Sequence, residues 1–432
     1  MAKRIFAKKK RWEPKLFVIM GVIAGIFALA LGAPLLLSHG RSALRSGAIA
    51  NDGSGQEILE EAYGLVADGA IDAAEKMIQP LLRGRDPVVT PRAILLQADI
   101  EHHRGRKDAA LRLLKDASET FRASREYPRI EERKARQMEE MGLLEEARMV
   151  YEALRDNAPP EIRAMGYLGL GRLAERADNP IEARDFYRRA VEDAPWGDPV
   201  WEEAVDLMGR LNVKLIFSSI ETPESRYYMV ESGDTLINIG MKLNTTQGLL
   251  TRANNIDDAS LLRPGQRLKY TPKDFFIIIE RSTCFLYLFD SRGLFKRYAV
   301  GLGTSGHETT LGKYTIGNKQ QDPVWFKPGS DPIPAGDPDN ELGTRWMPMV
   351  PVNEGLPHDL GIHGTIAPDT IGTFASRGCA RMHNHDVEEL YDLVVRATPV
   401  EVVETIHDHV DAPEIPETPE PSTDNGEDAP AV

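Results

Sequence analysis

The sequence predicts a multidomain fold with an N-terminal transmembrane helix, an α-helical repeat array, a small βααβ module and a β-rich C-terminal domain. Three patterns support this assignment. Residues 16–38 are uncharged and mostly apolar, residues 56–215 repeat a helical pattern rich in Ala, Leu, Glu and Arg, and β-type patterns begin at residue 226. The chain has 432 residues, too many for one hydrophobic core, since single cores seldom exceed about 250 residues.

The composition is that of a folded, acidic protein. Hydrophobic residues make up 42% and charged residues 27% of the chain, as in ordinary globular proteins. The formal net charge is −14. Because the phosphate backbone repels an acidic protein, the composition argues against a nucleic-acid partner.

The N-terminus has the pattern of a membrane anchor. Residues 1–15 carry seven Lys or Arg against one Glu and form a predicted cytoplasmic segment. Residues 16–38 approach the roughly 20 apolar residues that cross a bilayer, and residues 39–55 form a linker. The cytoplasmic membrane is thus a predicted partner, with the body of the protein on the extracytoplasmic side. Cleavage of a signal peptide after Ala30, followed by secretion, is the alternative.

Residues 56–215 resemble tetratricopeptide-like repeats. In the segment AMGYLGLGRLAERADNPIEARDFYRRAVEDAP the matching positions are Tyr167, Leu170, Gly171, Ala183, Tyr187, Ala190 and Pro195. Similar helix pairs can be drawn around Ala74, Ala110 and Ala147, at steps of 36 or 37 residues. Repeat arrays expose a concave face, so a protein partner for the repeats is predicted. A plain helical bundle without a partner is the alternative.

Residues 226–272 resemble a LysM module. A short β pattern precedes SGDTL, two helix-like segments follow, and LRPGQRLKY indicates a turn into a returning strand. The matching positions are Tyr228, Val230, Gly233, Asp234, Thr235, Leu236, Ile239, Leu249, Asn254, Gly265, Gln266 and Leu268. The resemblance implies a βααβ fold that binds N-acetylglucosamine-containing glycans.

Four residues are candidates for glycan binding within this module: Gly233, Asp234, Thr235 and Asn254. A structural role competes with this interpretation. Gly233 and Asp234 suit a tight turn, and Asp234 or Thr235 can cap the following helix. Sugar contact is then expected from the flanking loops.

Residues 275–405 form the predicted β-rich domain. The runs FFIIIE, CFLYLFD, LFKRYAVGLG and KYTIG alternate or are continuously apolar, and the intervening SRG favours a hairpin. A stretch rich in Pro, Gly and Asp runs from Asp322 to Asn340. Loops of this length inside a domain are typical of functional lids.

Cys379 and His363 are candidates for the chemistry of this domain. A thiol attacks a carbonyl as thiolate, so it needs a base to take its proton and donors to hold the developing oxyanion. His363 is a candidate for the base, and Gly378 allows a turn in which the amides of Gly378 and Cys379 are candidates to face a carbonyl oxygen.

Other interpretations of the same residues are weaker. A zinc site would need a second ligand pair, which the HNH sequence at residues 383–385 lacks, so no metal is predicted. No phosphate loop, HExxH or dinucleotide fingerprint occurs, so no cofactor is predicted. A buried, inert Cys379 and a single bridge between Cys284 and Cys379 are the remaining alternatives.

The segment IHGT, followed by SRGCARM, resembles the catalytic signature of the YkuD-type L,D-transpeptidase family. YAVGLGTSGHETTLGKYTI and LGTRWM occur upstream in the family's order. By this resemblance Cys379 is the nucleophile and His363 the general base. The resemblance implies attack on peptidoglycan stem peptides, a thioester on Cys379, and resolution by an amine to give 3-3 cross-links or attachment of another amine acceptor.

Four further residues belong to the implied motif: Ser376, Arg377, Gly378 and Arg381. Ser376 and Thr365 are expected to hydrogen-bond their turns. Arg381 either binds a stem carboxylate or forms a surface ion pair. Arg377 replaces a histidine that is frequent in the family, Ala380 is smaller than the usual aliphatic residue, and Thr310 stands where proline is common.

The complete prediction is a membrane-anchored cysteine L,D-transpeptidase whose partner is peptidoglycan. The alternatives are an L,D-carboxypeptidase, in which water replaces the amine, and a non-catalytic peptidoglycan-binding scaffold. Residues 406–432 are acidic and proline-rich and are predicted to be a disordered tail.

Overall fold

The computed structural model describes residues 54–408 except 157, 259, 261 and 328. The predicted cytoplasmic segment, the apolar segment 16–38, nearly all of the linker and the tail beyond residue 408 lie outside the described residues. Within the described ranges, no helix is long and apolar enough to cross a membrane. The chain divides after Met208 into two compact units.

The first unit is entirely helical in its described part and is consistent with the predicted repeats. Four alanines from the predicted repeats, Ala74, Ala110, Ala147 and Ala183, lie on the second helix of successive pairs and are fully buried. The helices are α1 (Ser54–Ala67), α2 (Ile71–Leu82), α3 (Val89–His103), α4 (Lys107–Thr120), α5 (Tyr127–Glu140), α6 (Leu144–Arg155), α7 (Pro160–Arg176), α8 (Pro180–Asp193) and α9 (Pro199–Ile216), which ends in the second unit.

Glycines let neighbouring helices of the repeats approach closely. A Cβ atom at Gly169 would collide with the ring of Tyr151, and one at Gly171 would collide with the ring of Tyr187. Both tyrosines are fully buried. The aromatic ring of one helix therefore fills the space that the glycine of its neighbour leaves open.

The second unit begins with the βααβ module that the sequence predicts. Its core contains Val230, Leu236, Ile239, Leu250 and Leu268. The elements are β1 (Arg226–Met229), α10 (Leu236–Lys242), α11 (Gln247–Ala253) and β2 (Arg267–Tyr270). The strands β1 and β2 pair antiparallel, with Tyr228 opposite Leu268.

The rest of the unit is the predicted β-rich domain. The strands are β3 (Phe276–Glu280), β4 (Phe285–Asp290), β5 (Gly293–Ala299), β6 (Leu302–Gly303), β7 (Gly312–Ile316), β8 (Gln320–Gln321), β9 (Arg345–Pro351), β10 (Gly361–His363), β11 (Phe374–Ser376), β12 (Ala380–Arg381) and β13 (Pro399–Val403). The strand order in the main sheet is β12-β10-β9-β7-β13-β3-β4-β5, with β8 paired to β9, and β6 pairs with β11 separately. The main sheet packs against one helix, α12 (Asn384–Leu393).

Two details differ from the sequence expectations. The ordered domain continues past residue 405, because Ile406 is buried and its amide donates to the Glu280 carboxylate at 2.9 Å. Cys284 and Cys379 are both free thiols, so the bridge between them is absent. Cys284 is buried, as its apolar surroundings predict.

Candidate active site

Strand pairing brings the two candidate catalytic residues together. The strand β10 ends at His363 and runs parallel to β12, with Ile362 opposite Ala380 and His363 opposite Arg381. Cys379 immediately precedes β12, so it enters the sheet beside the start of β10. Cys379 and His363 are 16 positions apart in the sequence. Strand pairing thus places His363 on β10 and Cys379 next to the adjacent strand β12, at one end of the sheet.

The turn before Cys379 is held by Ser376. Its hydroxyl donates to the Cys379 carbonyl at 2.7 Å and accepts from the Gly378 amide at 3.1 Å. Gly378 has φ +116°, a conformation that favours glycine. Because the Gly378 N–H is used within the turn, the expectation that it faces a substrate carbonyl conflicts with the structure. The Cys379 amide is the remaining oxyanion candidate of that pair.

The Cys379 thiol is held in its neutral form. Its side chain is half-buried, and the thiol contacts the Asp359 carbonyl at 3.7 Å. Desolvation raises the pKa of Cys379 to about 11, against smaller lowering effects of the Gly361 backbone and the Arg381 charge. At neutral pH Cys379 is therefore a neutral thiol, and an attack by its sulfur would need a base.

His363 has the burial and orientation that suit a base. The ring is buried, and Nδ1 lies 2.7 Å from the Gly364 carbonyl oxygen. A carbonyl oxygen only accepts, so Nδ1 carries the hydrogen and Nε2 is left as the basic nitrogen. The pKa of His363 is lowered to about 4, mainly by desolvation and also by the nearby Arg381 charge, against the raising effect of the Gly364 and Glu341 carbonyls.

Arg381 is a mostly buried cation beside the dyad. Its side chain is 15% exposed and pairs with Glu341, with Nη2 and Oε2 3.0 Å apart. Its Nε atom is buried and has no hydrogen-bond partner. The ion pair foreseen for Arg381 is therefore present, with the Glu341 side chain partly exposed and Arg381 mostly buried, and one donor of the guanidinium is uncommitted.

Asn384, at the first position of α12, was not singled out from the sequence. Its Oδ1 accepts from the amides of Thr365 and Thr344 at 3.0 and 3.4 Å, and its Nδ2 donates to the Thr365 carbonyl at 3.0 Å. A Cβ atom at Gly364 would collide with Oδ1. One amide side chain thus fixes the backbone that follows His363 and joins it to Thr344, the residue before β9. An Asn at a helix start was the available signal.

Hydrogen bonds join several described residues of the long loop before β9. Trp325 and Ile333 exchange two backbone hydrogen bonds, of 2.8 and 2.9 Å. Asn340 is buried, and its Nδ2 donates to the Pro323 and Pro334 carbonyls at 2.9 and 3.0 Å. Glu341, the residue after this loop, pairs with Arg381, so the loop ends beside the site. Its function as a lid stays a prediction. Among the other predicted residues, Arg377 is exposed, while Thr365 is buried and accepts from the Ala367 amide at 3.0 Å.

The side chains of the candidate glycan-binding residues are used within the βααβ module. Asp234 accepts from the Tyr228 hydroxyl and the Glu231 amide at 2.8 and 2.9 Å. Thr235 caps α10 in a capping box. Asn254 donates to the Leu250 and Lys269 carbonyls, both at 2.8 Å. Gly233 lies in the exposed turn before α10 with φ +89°.

Comparison with known proteins agrees with these two domains. The L,D-transpeptidase catalytic domain family matches residues 274–402, and the LysM domain family matches residues 228–271. A putative L,D-transpeptidase YkuD from Bacillus licheniformis is 31% identical over 183 residues, which cover 40% of this chain and 97% of that protein. A putative L,D-transpeptidase YqjB from Bacillus subtilis is 32% identical over 130 residues, 30% of this chain and 71% of that protein.

Solved structures give the same family name at lower similarity. The catalytic domain of an L,D-transpeptidase from E. faecium is 20% identical with a TM-score of 0.24, over 30% of this chain and 97% of that one. The family model and the sequence relatives define the class of protein, an L,D-transpeptidase. The chain belongs to the YkuD-type L,D-transpeptidase family and is an enzyme of this type.

Proposed function

We propose that the protein is a cysteine L,D-transpeptidase that acts on peptidoglycan stem peptides through a thioester on Cys379. The observation that carries this proposal is the pairing of β10 with β12, which sets a buried, oriented imidazole beside the strand that Cys379 immediately precedes. Nucleophile, base and a carbonyl that orients the base are the three parts such chemistry needs.

In the first step, Nε2 of His363 takes the thiol proton as Cys379 Sγ attacks the carbonyl carbon between the third and fourth stem residues. The resulting oxyanion is stabilised by donors at the turn, with the Cys379 amide as candidate. The imidazolium then returns its proton to the departing amine. The C–N bond breaks, a D-amino acid leaves, and the acyl group remains on sulfur as a thioester.

In the second step, His363 takes a proton from the acceptor amine, which attacks the thioester carbonyl. The C–S bond breaks, Cys379 recovers its proton from His363, and an amide is formed. A neighbouring stem as acceptor gives a 3-3 cross-link, and another amine gives wall attachment. Water as acceptor gives a trimmed tripeptide, the L,D-carboxypeptidase reaction.

The uncommitted donor of Arg381 supports a role in binding the donor stem. A guanidinium close to both catalytic groups attracts an anionic ligand, and planar forks suit carboxylates. We assign it to a stem carboxylate. Arg377 is exposed and lies two residues before Cys379. We assign it to the same stem-binding surface as Arg381.

The remaining regions are assigned to placement of the enzyme. The LysM module binds glycan strands of peptidoglycan through the loops around Gly233, and the enzyme acts outside the cytoplasm. The apolar segment 16–38 anchors the chain in the cytoplasmic membrane, and the helical repeats dock a protein partner.

Product analysis with disaccharide-tetrapeptide tests the function. Wild type should release D-alanine and form a cross-linked dimer, and Cys379→Ala should do neither. Tripeptide without dimer would favour the carboxypeptidase. No Cys379-dependent product would leave the non-catalytic scaffold.

A further inference from the structure

The LysM module and the catalytic domain share one hydrophobic core. Leu249 and Ala253, on α11 of the module, are buried in the same cluster as Leu390, Leu393 and Val394 of the catalytic domain. The cluster also contains Val213, Ile216 and Phe217 from the end of α9. A module tethered only by a flexible linker would bury all its apolar residues in a core of its own. Leu236 and Leu268 lie in such a core, whereas Leu249 and Ala253 lie in the shared one.

Polar contacts centred on Asp392 complete the seam between α11 and α12. The Thr246 hydroxyl donates to the Asp392 carbonyl, and Arg252 Nη1 lies 3.3 Å from Asp392 Oδ2. A Cβ atom at Gly248 would collide with the Asp392 carboxylate. The glycine therefore permits the close approach of the two helices.

The end of α9 fastens the module from a second side. Lys269 is buried, and its Nζ donates to the Leu215 and Ser218 carbonyls at 3.0 and 2.6 Å. These carbonyls lie at the end of α9, where a cation is favourable. The Asn212 amide on the same helix donates to the Phe295 carbonyl of the catalytic domain at 2.8 Å. The helix end thus bonds to both domains.

The loops expected to contact sugar stay outside this seam. Gly233 lies in the exposed turn after β1, and Gly265 lies in the exposed turn before β2. The two turns are neighbours, since the Gly265 amide donates to the Val230 carbonyl at 2.8 Å. The module can therefore be fused to the catalytic domain with its sugar-binding side open.

We propose that the LysM module and the catalytic domain form one rigid body that selects stems carried on polymeric glycan strands over stems of soluble muropeptides. This inference rests on the proposed function. A rigid seam holds a bound strand at a fixed position relative to Cys379, which raises the effective concentration of its stems only if geometry permits both contacts. A soluble disaccharide-tetrapeptide cannot occupy both sites and gains nothing.

The test compares Gly248→Leu with Gln247→Leu in the full chain. The first places a side chain against Asp392, and the second changes the neighbouring exposed side chain of the same helix. The double variant Thr246→Ala/Arg252→Ala opens the seam by a second route if Gly248→Leu does not fold. Rates per stem are measured on tetrapeptide-bearing glycan strands and on disaccharide-tetrapeptide, and ¹⁵N relaxation reports whether LysM and catalytic amides tumble together.

Wild type and Gln247→Leu should tumble as one body and prefer strands by roughly tenfold. Opening the seam should lower that preference at least about threefold, leave the soluble rate within about twofold, and leave strand binding in a pull-down intact. Independent tumbling in wild type, or an unchanged preference in a seam variant whose modules tumble apart, would overturn the inference. Loss of Cys379-dependent product from both substrates in wild type would instead overturn the proposed function.

Discussion

The Nδ1 atom of His363 lies 2.7 Å from the carbonyl oxygen of Gly364, the next residue in the chain. This short contact fixes the tautomer and the plane of the buried ring. The orienting group is a backbone carbonyl, so it cannot be removed by a side-chain substitution at Gly364. It is maintained instead by Asn384, which holds the following residue, Thr365, through two hydrogen bonds.

Asn384→Ala should lower kcat/KM for acylation by about 10- to 100-fold, in line with loss of a supporting hydrogen-bond network. Loosening the backbone around His363 admits water. Because burial is the main cause of the low pKa of His363, that pKa should rise toward 6.5. The acid limb of the plot of rate against pH should move up with it. Thr398→Ala is the control, because it removes a buried hydrogen bond to the Val395 amide elsewhere in the domain. An unmoved acid limb in Asn384→Ala would contradict the positioning role.

The reactivity of Cys379 toward iodoacetamide should be low at neutral pH and increase up to about pH 11. Desolvation raises its pKa to about 11, so the thiolate fraction is small until then. Peptide mass spectrometry separates labelling of Cys379 from that of the buried Cys284. Rapid labelling of Cys379 at pH 7 would show a preformed thiolate.

The free energy of unfolding of the catalytic domain should fall as the pH decreases from about 6.5 to about 4. His363 has a lower pKa in the folded state than its usual 6.5, so the unfolded chain binds more protons in this range. The pKa shift of His363 corresponds to a stabilisation of about 3 kcal/mol in the free energy of unfolding. This stabilisation is fully present above pH 6.5 and is lost as the pH falls to about 4. Calorimetry of His363→Gln should show a flatter pH dependence than wild type, and equal slopes would contradict the assignment.

Glu341→Gln should lower the KM for a donor stem with a free carboxylate, because Glu341 no longer competes for Arg381. Arg381→Gln should raise that KM by roughly tenfold, the usual order for a charged hydrogen bond. A donor whose stem carboxylates are amidated is the control and should respond weakly to both changes. Equal responses to the two donors would remove the stem carboxylate from Arg381.

Gly169→Ala should destabilise the helical repeats by about 1–3 kcal/mol, because the added methyl group collides with the buried Tyr151 ring. Gly64→Ala is the matched control in α1. No atom lies within 4 Å of its Cβ position, so the change should stabilise the helix by up to about 1 kcal/mol. Urea unfolding followed by helical circular dichroism measures both, and equal effects would contradict the packing explanation.

The sequence indicated Cys379 and His363 as the candidate catalytic pair because both lie in one short segment. Cys379 and His363 are only 16 residues apart, and the residues between them carry turn signals that the structure retains. Glu341 and Asn384 were missed because their contacts depend on the path of a long loop. Arg381 meets Glu341 across 40 residues, and Asn384 meets Thr344 across 40. Periodic burial of Ala74 and Ala110 was readable, since helix pairs repeat locally.

The interpretation of Gly378 shows a different limit of sequence analysis. The residue types predicted a turn, and the structure has one with φ +116°. In the structure the Gly378 amide donates to the Ser376 hydroxyl. This contact depends on the side-chain orientation of Ser376, which residue spacing does not determine. The same holds for Asp234 and Asn254, whose side chains are used inside the LysM module.

The most direct test of the central claim is the mass of the intact protein shortly after mixing with disaccharide-tetrapeptide and quenching in acid. Wild type should gain the mass of the disaccharide-tripeptide acyl group, hydroxylamine should remove it, and peptide mapping should place it on Cys379. Cys379→Ala should gain nothing. Turnover of the substrate without a Cys379 adduct, or an adduct that persists in Cys379→Ala, would contradict a thioester on this cysteine.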